Sequence, residues 1–142
     1  MELTHKTSLA NVPLQIMLFS NSCLSILYAV VIGAVAVEKS IGYSHDVPIV
    51  ALFLWVVIEP IRLSLGFSGN LTEKVPNLAT YLLMTVFPQL PLVVYLGFLQ
   101  GVTFPIDNIL GSFMLICLVS LFIYFFSMLS LSLLIYLQIF FF

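Results

Sequence analysis

Long apolar runs and short polar punctuation alternate along the chain. Four runs, near residues 14–37, 47–66, 77–99 and 108–130, each have the roughly 20 residues that a helix needs to cross a hydrocarbon core of about 30 Å. The runs are continuous rather than alternating, and lipid does not tolerate unpaired strand edges, so they predict helices and not barrel strands. The connections are short. The pattern therefore predicts an all-α membrane protein with four transmembrane helices in an antiparallel bundle and no soluble domain.

Capping side chains mark three of the helix starts. Asn11 and Asp46 each stand two residues before a proline, an arrangement typical of the first turn of a helix. Asp107 follows a proline closely and is expected to cap the fourth helix.

Polar and glycine-rich segments indicate where the first two helices end. We expect Glu38-Lys39-Ser40 to end the first helix and Gly66-Phe67-Ser68-Gly69-Asn70 to end the second, because glycine permits the left-handed turn that often ends a helix. Pro60 in the second helix, and Pro88 and Pro91 in the third, predict kinks.

The end of the chain stays apolar beyond the fourth run. A helix from Ile109 to Phe142 would be about 50 Å long, too long for one span and too short for two spans with a turn. We expect a break near three serines, Ser127, Ser130 and Ser132, and an apolar extension, 131–142, that lies at the membrane interface. Alternatively, the terminal phenylalanines reflect a splice form or a gene model.

Composition supports the membrane assignment. The chain has 142 residues, of which 62% are hydrophobic and 7% charged, and its mean hydropathy is +1.22. That leaves too little polar surface to coat a water-soluble globule, so residues 1–142 are interpreted as one membrane domain with the lipid bilayer as its surroundings. Its lysines and arginines form no cluster, which argues against nucleic acid as a partner.

The few cations predict the orientation in the membrane. Lys6, Arg62 and Lys74 fall on one side of the four spans and Lys39 on the other, which favours cytosolic termini. Arg62 counts only if its long side chain reaches the headgroups. As an alternative, Ala34-Val35-Ala36 fits a signal-peptide cleavage site, and cleavage there would leave three spans.

An ionisable pair lies inside the second run. Glu59 and Arg62 are three residues apart and therefore share one helix face, where opposite charges neutralise each other. The structural interpretation places this intramembrane charge pair near the cytosolic end, with Arg62 reaching headgroups. The alternative is a functional carboxylate in a proton relay, because ionisable residues within spans are often functional.

A stripe of small residues follows one face of the first helix. Ser25, Ala29 and Gly33 recur every four residues and permit another helix to approach closely. The approaching helix can belong to this chain or to a partner.

Catalytic and metal-binding patterns are missing from the sequence. His5 and His45 fall in the tail and a loop without metalloprotease spacing, and Cys23 and Cys117 fall in apolar runs. The sequence predicts no enzyme, cofactor or metal. Asn70-Leu71-Thr72 is a glycosylation sequon, which the orientation above places in the cytosol, so we expect no glycan there.

One segment resembles a known family. Residues 58–76, IEPIRLSLGFSGNLTEKVP, resemble the signature of the transmembrane protein 17 family, which includes transmembrane proteins 80 and 216. Residues 12–18, VPLQIML, are similar to the family's first span, and residues 89–92, QLPL, to its third. The resemblance covers roughly residues 12–111, and beyond Gly111 the chain stays apolar where the family normally has a polar, often basic tail.

The resemblance implies a function and a set of partners. It implies a non-enzymatic four-helix scaffold of the ciliary transition zone with cytosolic termini, which acts in cilium assembly and in the gate for membrane proteins, within the complex disrupted in Meckel and Joubert syndromes. The implied partners are other transition-zone membrane proteins, namely other tetraspans, tectonic-type and B9-domain proteins, in a homo- or hetero-oligomer. The motif residues carried over, with a role in fold and assembly, are Glu59, Arg62, Gly66, Gly69, Asn70 and Leu71.

Two other functions remain open from the sequence. One is a small ion- or proton-coupled transporter or channel subunit that uses Glu59. The other is a helix-packing assembly factor of the secretory pathway.

Overall fold

The chain forms a bundle of four antiparallel helices. The computed structural model describes residues 11–44, 46–72 and 74–141. Its helices are α1 (Val12–Tyr43), α2 (Val47–Thr72), α3 (Val75–Leu99) and α4 (Pro105–Phe141). All four are long and apolar enough to cross a membrane, and no strand occurs in the residues described. The predicted fold class is therefore confirmed. His5, Lys6, His45 and Phe142 lie outside the described residues.

Burial follows the period of a helix. In α1 the buried residues recur every three or four positions, so one face is turned to the bundle and the others to the surroundings. The series includes polar side chains as well as apolar ones: Leu14, Leu18, Asn21, Ser25, Tyr28, Ile32, Ala36 and Lys39.

Two apolar clusters stack along the bundle axis. The cluster nearer the α1–α2 connection contains Tyr28, Ile32, Ala51, Trp55, Val93, Leu96, Met114 and Leu118. The cluster nearer the start of α1 contains Leu14, Leu18, Tyr81, Leu121 and Phe125. The polar side chains at the middle of α1 and α2 lie between these clusters.

Helices α1 and α2 start directly after Asn11 and Asp46, as predicted, but the side-chain cap is seen at Asn11, whereas the Asp46 carboxylate bonds a serine of α1 instead. The Asn11 side chain accepts a hydrogen bond from the Leu14 N–H at 3.4 Å, as predicted for a cap. At α2 the Asp46 backbone carbonyl accepts from the Ile49 N–H at 3.1 Å, while the Asp46 carboxylate accepts from the Ser40 hydroxyl of α1 at 2.5 Å.

The predicted ends of α1 and α2 are wrong. Helix α1 continues through Glu38-Lys39-Ser40 to Tyr43, because the Lys39 side chain turns into the bundle instead of marking its boundary. Helix α2 continues through Gly66 and Gly69 to Thr72, and no glycine in the described residues has a positive φ. These glycines provide close helix packing and no turn.

Helix α3 is interrupted at its middle, as its prolines predict. Phe87, just before Pro88, has non-helical dihedral angles of φ −130° and ψ 116°, with wider π-type turns around it. By contrast, the break predicted near Ser127 in α4 is wrong, since the backbone is helical from Pro105 to Phe141. The Ser127 hydroxyl donates to the Ile123 carbonyl one turn earlier, so this serine is satisfied within the helix.

Candidate functional site

The Glu59–Arg62 pair lies at the centre of the bundle. Two parallel hydrogen bonds join the side chains, at 2.9 Å from Arg62 Nε to Glu59 Oε2 and 2.7 Å from Arg62 Nη2 to Glu59 Oε1. This two-point geometry is the strongest form of arginine–carboxylate contact. Glu59 is 3% exposed and Arg62 is 0% exposed.

The carboxylate also receives hydrogen bonds from α1 and α3. Glu59 Oε1 accepts from Ser25 Oγ at 2.5 Å and from Asn21 Nδ2 at 3.5 Å, both on α1. Glu59 Oε2 accepts from Gln89 Nε2 of α3 at 2.5 Å. Five donors thus engage its two oxygens, and they come from three helices.

The guanidinium faces α3. Arg62 Nη1 donates to the Tyr81 hydroxyl at 2.9 Å and to Thr85 Oγ1 at 3.3 Å, and its central carbon lies 5.1 Å from the centre of the Tyr81 ring. The Tyr81 ring in turn packs against Phe125 of α4, with ring centres 4.8 Å apart. The ion pair therefore fastens α1, α2 and α3 directly and reaches α4 through Tyr81.

The charges match the interruption in α3. Thr85 lies at the carboxyl end of the helical segment before Phe87, and Gln89 lies at the start of the segment after it. Arg62 is thus placed where the first segment has its negative dipole end, and Glu59 where the second has its positive end. The pair stabilises both free ends of a broken helix inside the membrane, where water cannot do so.

The pair lies near the middle of α2 and not near either of its ends. Glu59 is twelve residues after Val47 and thirteen before Thr72. At about 1.5 Å per residue it is about 18 and about 20 Å from the two ends of α2. The expectation that Arg62 reaches the headgroups is wrong, because its guanidinium is buried among α2 and α3.

A second ion pair closes the end of the bundle opposite the termini. Lys39 Nζ lies 2.5 Å from Asp107 Oδ2 and donates to Gln100 Oε1 at 2.6 Å. The same Asp107 oxygen accepts from the Phe104 N–H at 2.8 Å, so Asp107 does cap the start of α4 as predicted. Both charged side chains are at most 1% exposed.

Amides and a tyrosine close the end near the first described residue. The Asn11 N–H donates to Asn70 Oδ1 at 3.1 Å, and Asn70 Nδ2 donates to the Asn11 carbonyl at 3.2 Å and to Gln15 Oε1 at 2.9 Å. The Tyr124 hydroxyl donates to Asn11 Oδ1 at 2.9 Å. The nitrogen to which a glycan would be attached is thus buried and bonded, an independent reason to expect no glycan on Asn70.

The small-residue stripe packs against the chain's own second helix along part of its length. Ser25 bonds Glu59, Ala29 packs against the cluster that contains Trp55, and a Cβ on Gly33 would lie 3.6 Å from Leu52 of α2. At least part of the stripe is therefore used within the molecule.

The family-motif residues do not form a turn. Gly66 and Gly69 lie where α2 meets its neighbours, since a Cβ on Gly66 would come within 2.9 Å of Leu18 and a Cβ on Gly69 within 2.7 Å of Leu78. Leu71, by contrast, is 56% exposed.

Sequence reasoning missed most partners of the two ion pairs. Tyr81, Thr85 and Gln89 recur every four residues in α3, and this spacing was the available signal for a polar face inside an apolar run. The Lys39–Asp107 pair joins residues 68 apart and left no local signal. Within the described residues, no group of three or more His, Cys, Asp or Glu side chains could hold a metal.

Four apolar helices closed around two buried ion pairs define an α-helical multi-pass membrane protein. A family model, Transmemb_17, described as "Predicted membrane protein", matches residues 16–118. The chain therefore belongs to the transmembrane protein 17 family.

Curated relatives agree with this assignment. The chain is 46% identical to human Transmembrane protein 17 over 61 residues, which cover 43% of this chain and 31% of the relative. It is 34% identical to Transmembrane protein 17B of Xenopus tropicalis over 91 residues, which cover 62% of this chain and 42% of the relative. It is 36% identical to Transmembrane protein 17 of Rattus norvegicus over 107 residues, which cover 72% of this chain and 54% of the relative.

The alignments span about a third to a half of the length of these relatives. No solved structure matches the chain.

Proposed function

We propose that this chain is a non-enzymatic tetraspan scaffold of the ciliary transition zone, which contributes to cilium assembly and to the ciliary membrane gate. Membership of the transmembrane protein 17 family supports the proposal. The observation that carries it is the central network, in which Glu59 and Arg62 form hydrogen bonds with Ser25, Tyr81 and Gln89 of the same chain. Such a network holds a bundle rigid and leaves its outer faces to partners.

The geometry favours this function over transport. A coupling carboxylate must exchange protons or ions with a water-filled path, and it therefore needs an oxygen that is free to do so. Both oxygens of Glu59 are engaged by five donors from three helices. Proton flux into liposomes that hold the purified protein, lost in Glu59→Gln, would instead favour the transporter.

Localisation is part of the proposal. Four spans bring Asn11 and Phe141 to the same side of the bundle, and we place that side in the cytosol. We expect the partners to be other transition-zone membrane proteins, including other tetraspans, tectonic-type and B9-domain proteins.

Imaging in ciliated cells tests the proposal. A tagged copy is expected in a band between a basal-body marker and an axoneme marker, and its deletion should impair cilia. An Arg62→Met variant, which leaves Glu59 without its cation, should lose the band, whereas Ser64→Ala on the exposed face of α2 should keep it. A uniform plasma-membrane or reticulum signal with normal cilia after deletion would overturn the proposal.

A further inference from the structure

The outer face of α1 is apolar over a long distance and then ends at a charge. From Val12 to Val37 every exposed position of α1 is apolar except Ser20 and Cys23. The next residue, Glu38, is exposed and charged. At about 1.5 Å per residue, the distance from Val12 to Val37 along the helix is about 38 Å.

The outer face of α2 has nearly the same apolar length. Its exposed positions from Val47 to Leu71 carry no charge and no amide, and the exposed residue before Val47 is Asp46. The two hydroxyls on this face, those of Ser64 and Ser68, are bonded within the protein and so do not need water. The distance from Val47 to Leu71 along the helix is about 36 Å.

Polar side chains on the other elements lie at the same two ends of the bundle. Asn108 is exposed at the start of α4, where Lys39 of α1 binds Asp107. At the opposite end, Lys74 is exposed in the connection between α2 and α3. We call the exposed apolar surface between these ends, on residues 12–37 and 47–71, the apolar belt.

The buried ion pairs prevent the helices from changing their tilt one at a time. Glu59 and Arg62 join α2 to α1 and α3, and Lys39 joins α1 to Asp107 of α4. A helix that tilted alone would break one of these contacts, and breaking a buried ion pair is strongly destabilising. The belt therefore meets a membrane as one unit.

Helix tilt decides which membranes this unit fits. Membrane helices are tilted by about 20° on average, within a range of about 0–40°. A hydrocarbon core of about 33 Å, as in a plasma membrane rich in sterol and sphingolipid, fits helix lengths of about 36–38 Å at tilts of about 24–30°. A core of about 27 Å, as in the endoplasmic reticulum, would require tilts of about 41–45°, which lie outside that range. The belt therefore matches the thicker core.

We propose that the apolar belt selects a bilayer with a thick hydrocarbon core, of about 33 Å, over the thinner bilayer of the endoplasmic reticulum. Mismatch between an apolar surface and the lipid core costs free energy for every ångström, and this cost sorts proteins among membranes of different thickness. The bundle is thus more stable once it has moved from the reticulum into a thicker membrane. This inference goes beyond the proposed function, because it concerns the lipid around the bundle and not its protein partners.

Lipid competition in vesicles tests the inference. The full chain with Cys117→Ser is labelled with a fluorophore at Cys23, an exposed residue of α1 inside the belt. The vesicles contain mixtures of dioleoyl and dierucoyl phosphatidylcholine, of which the dierucoyl lipid has the longer chains and the thicker core. One lipid of each mixture carries bromine atoms, so that quenching of the fluorophore reports which lipid lies against α1.

The thicker lipid should be enriched beside the protein. We expect dierucoyl lipid to exceed dioleoyl lipid at the surface of α1 by about twofold or more, relative to the mixture. Equal quenching by the two lipids, or enrichment of the dioleoyl lipid, would overturn the inference. Because the vesicles contain no ciliary protein, either result leaves the scaffold proposal to be decided by imaging.

A shorter belt should reverse this preference. Ala34→Asp on α1 and Val50→Asp on α2, both at exposed positions, each bring an exposed charge four residues further into the belt. The belt then loses about 6 Å, and the double variant should favour dioleoyl lipid. Ile41→Asp is the control, because it adds the same charge beyond Glu38 and outside the belt, and it should keep the preference of the parent.

The variants also have an outcome that contradicts the inference. A double variant that keeps its helix content by circular dichroism and still prefers dierucoyl lipid would show that the exposed charges do not limit the belt, and the inference would fall. If the double variant does not fold, the quenching ratio of the parent chain decides by itself.

Discussion

Lys39 and Asp107 form an ion pair with Nζ and Oδ2 2.5 Å apart, although 68 residues separate them. The pair joins the last turns of α1 to the first turn of α4, and Gln100 adds a second acceptor for the ammonium group. Two charged residues that look like loop markers in the sequence thus close one end of the bundle. Burial makes each side chain dependent on the other, because either charge alone would be uncompensated.

Removing the cation of this pair should destabilise the protein strongly. Lys39→Met leaves the Asp107 carboxylate buried without its counterion, and we expect the free energy of unfolding to fall by about 3 kcal/mol. Unfolding in mixed micelles can be followed by the fluorescence of Trp55, the one tryptophan of the chain. Glu38→Gln, a neighbouring change at an exposed site, should stay within about 0.5 kcal/mol of the parent. Equal stability of the two variants would mean that the pair is not formed.

The central pair should show strong coupling between its members. Arg62→Met alone leaves Glu59 as an unpaired buried charge and should lower the free energy of unfolding by about 3–5 kcal/mol. The double variant Glu59→Gln/Arg62→Met removes both charges, so its loss should be smaller than the sum of the two single losses by about 0.5–3 kcal/mol.

The same unfolding assay checks this cycle. Ser64→Ala serves as the control, since Ser64 lies on the exposed face of α2 and donates only within its own helix, to the Ile61 carbonyl at 2.8 Å. Additive losses across the cycle would show that Glu59 and Arg62 act independently, contrary to their two-point contact.

Local patterns predicted the helices because the residues that indicate a helix are only a few positions apart in the sequence. The apolar runs predicted the number of helices, and Asn11 predicted the start of the first one. Glu59 and Arg62 were recognised as partners because they are about one helical turn apart. The interruption of α3 followed from its prolines in the same way. All of these depend on separations of one or two turns.

Helix ends and buried partners could not be predicted in this way. Lys39 and Asn70 look like boundary residues because they are polar, yet each is inside a helix and satisfied by a residue far along the chain. Their partners, Asp107 and Gln15, are 68 and 55 residues away. Whether a polar residue ends a helix or enters the core is decided by packing between helices, which no local pattern records.

Gly66 offers a direct test of close helix packing. A Cβ there would lie 2.9 Å from the Tyr81 ring, and that ring is held by Arg62 on one side and Phe125 on the other. Gly66→Ala should therefore lower the free energy of unfolding by about 1–3 kcal/mol, in spite of the better helix propensity of alanine.

Gly42 is the matched position for that change. Nothing lies within 4 Å of the site where its Cβ would be, so Gly42→Ala should be neutral or should stabilise the protein by up to about 1 kcal/mol. The prediction for Gly66 fails if both variants unfold at the same denaturant concentration as the parent.

The orientation of the bundle can be determined by thiol labelling. Arg62 and Lys39 are both buried and paired, so neither contributes to the positive-inside rule as a free cation. Lys74 is exposed in the connection between α2 and α3. Among the described residues it is the lysine or arginine whose free charge can favour a cytosolic position for this end of the bundle. In sealed microsomes, whose outer face is cytosolic, an impermeant maleimide should label Lys74→Cys at once and Ser44→Cys only after detergent. Both variants are made with Cys23 and Cys117 replaced by serine, because each native thiol would add a background signal. Labelling of Ser44→Cys before detergent, with Lys74→Cys protected, would place the termini in the lumen, and the four-helix fold would stand with its orientation reversed.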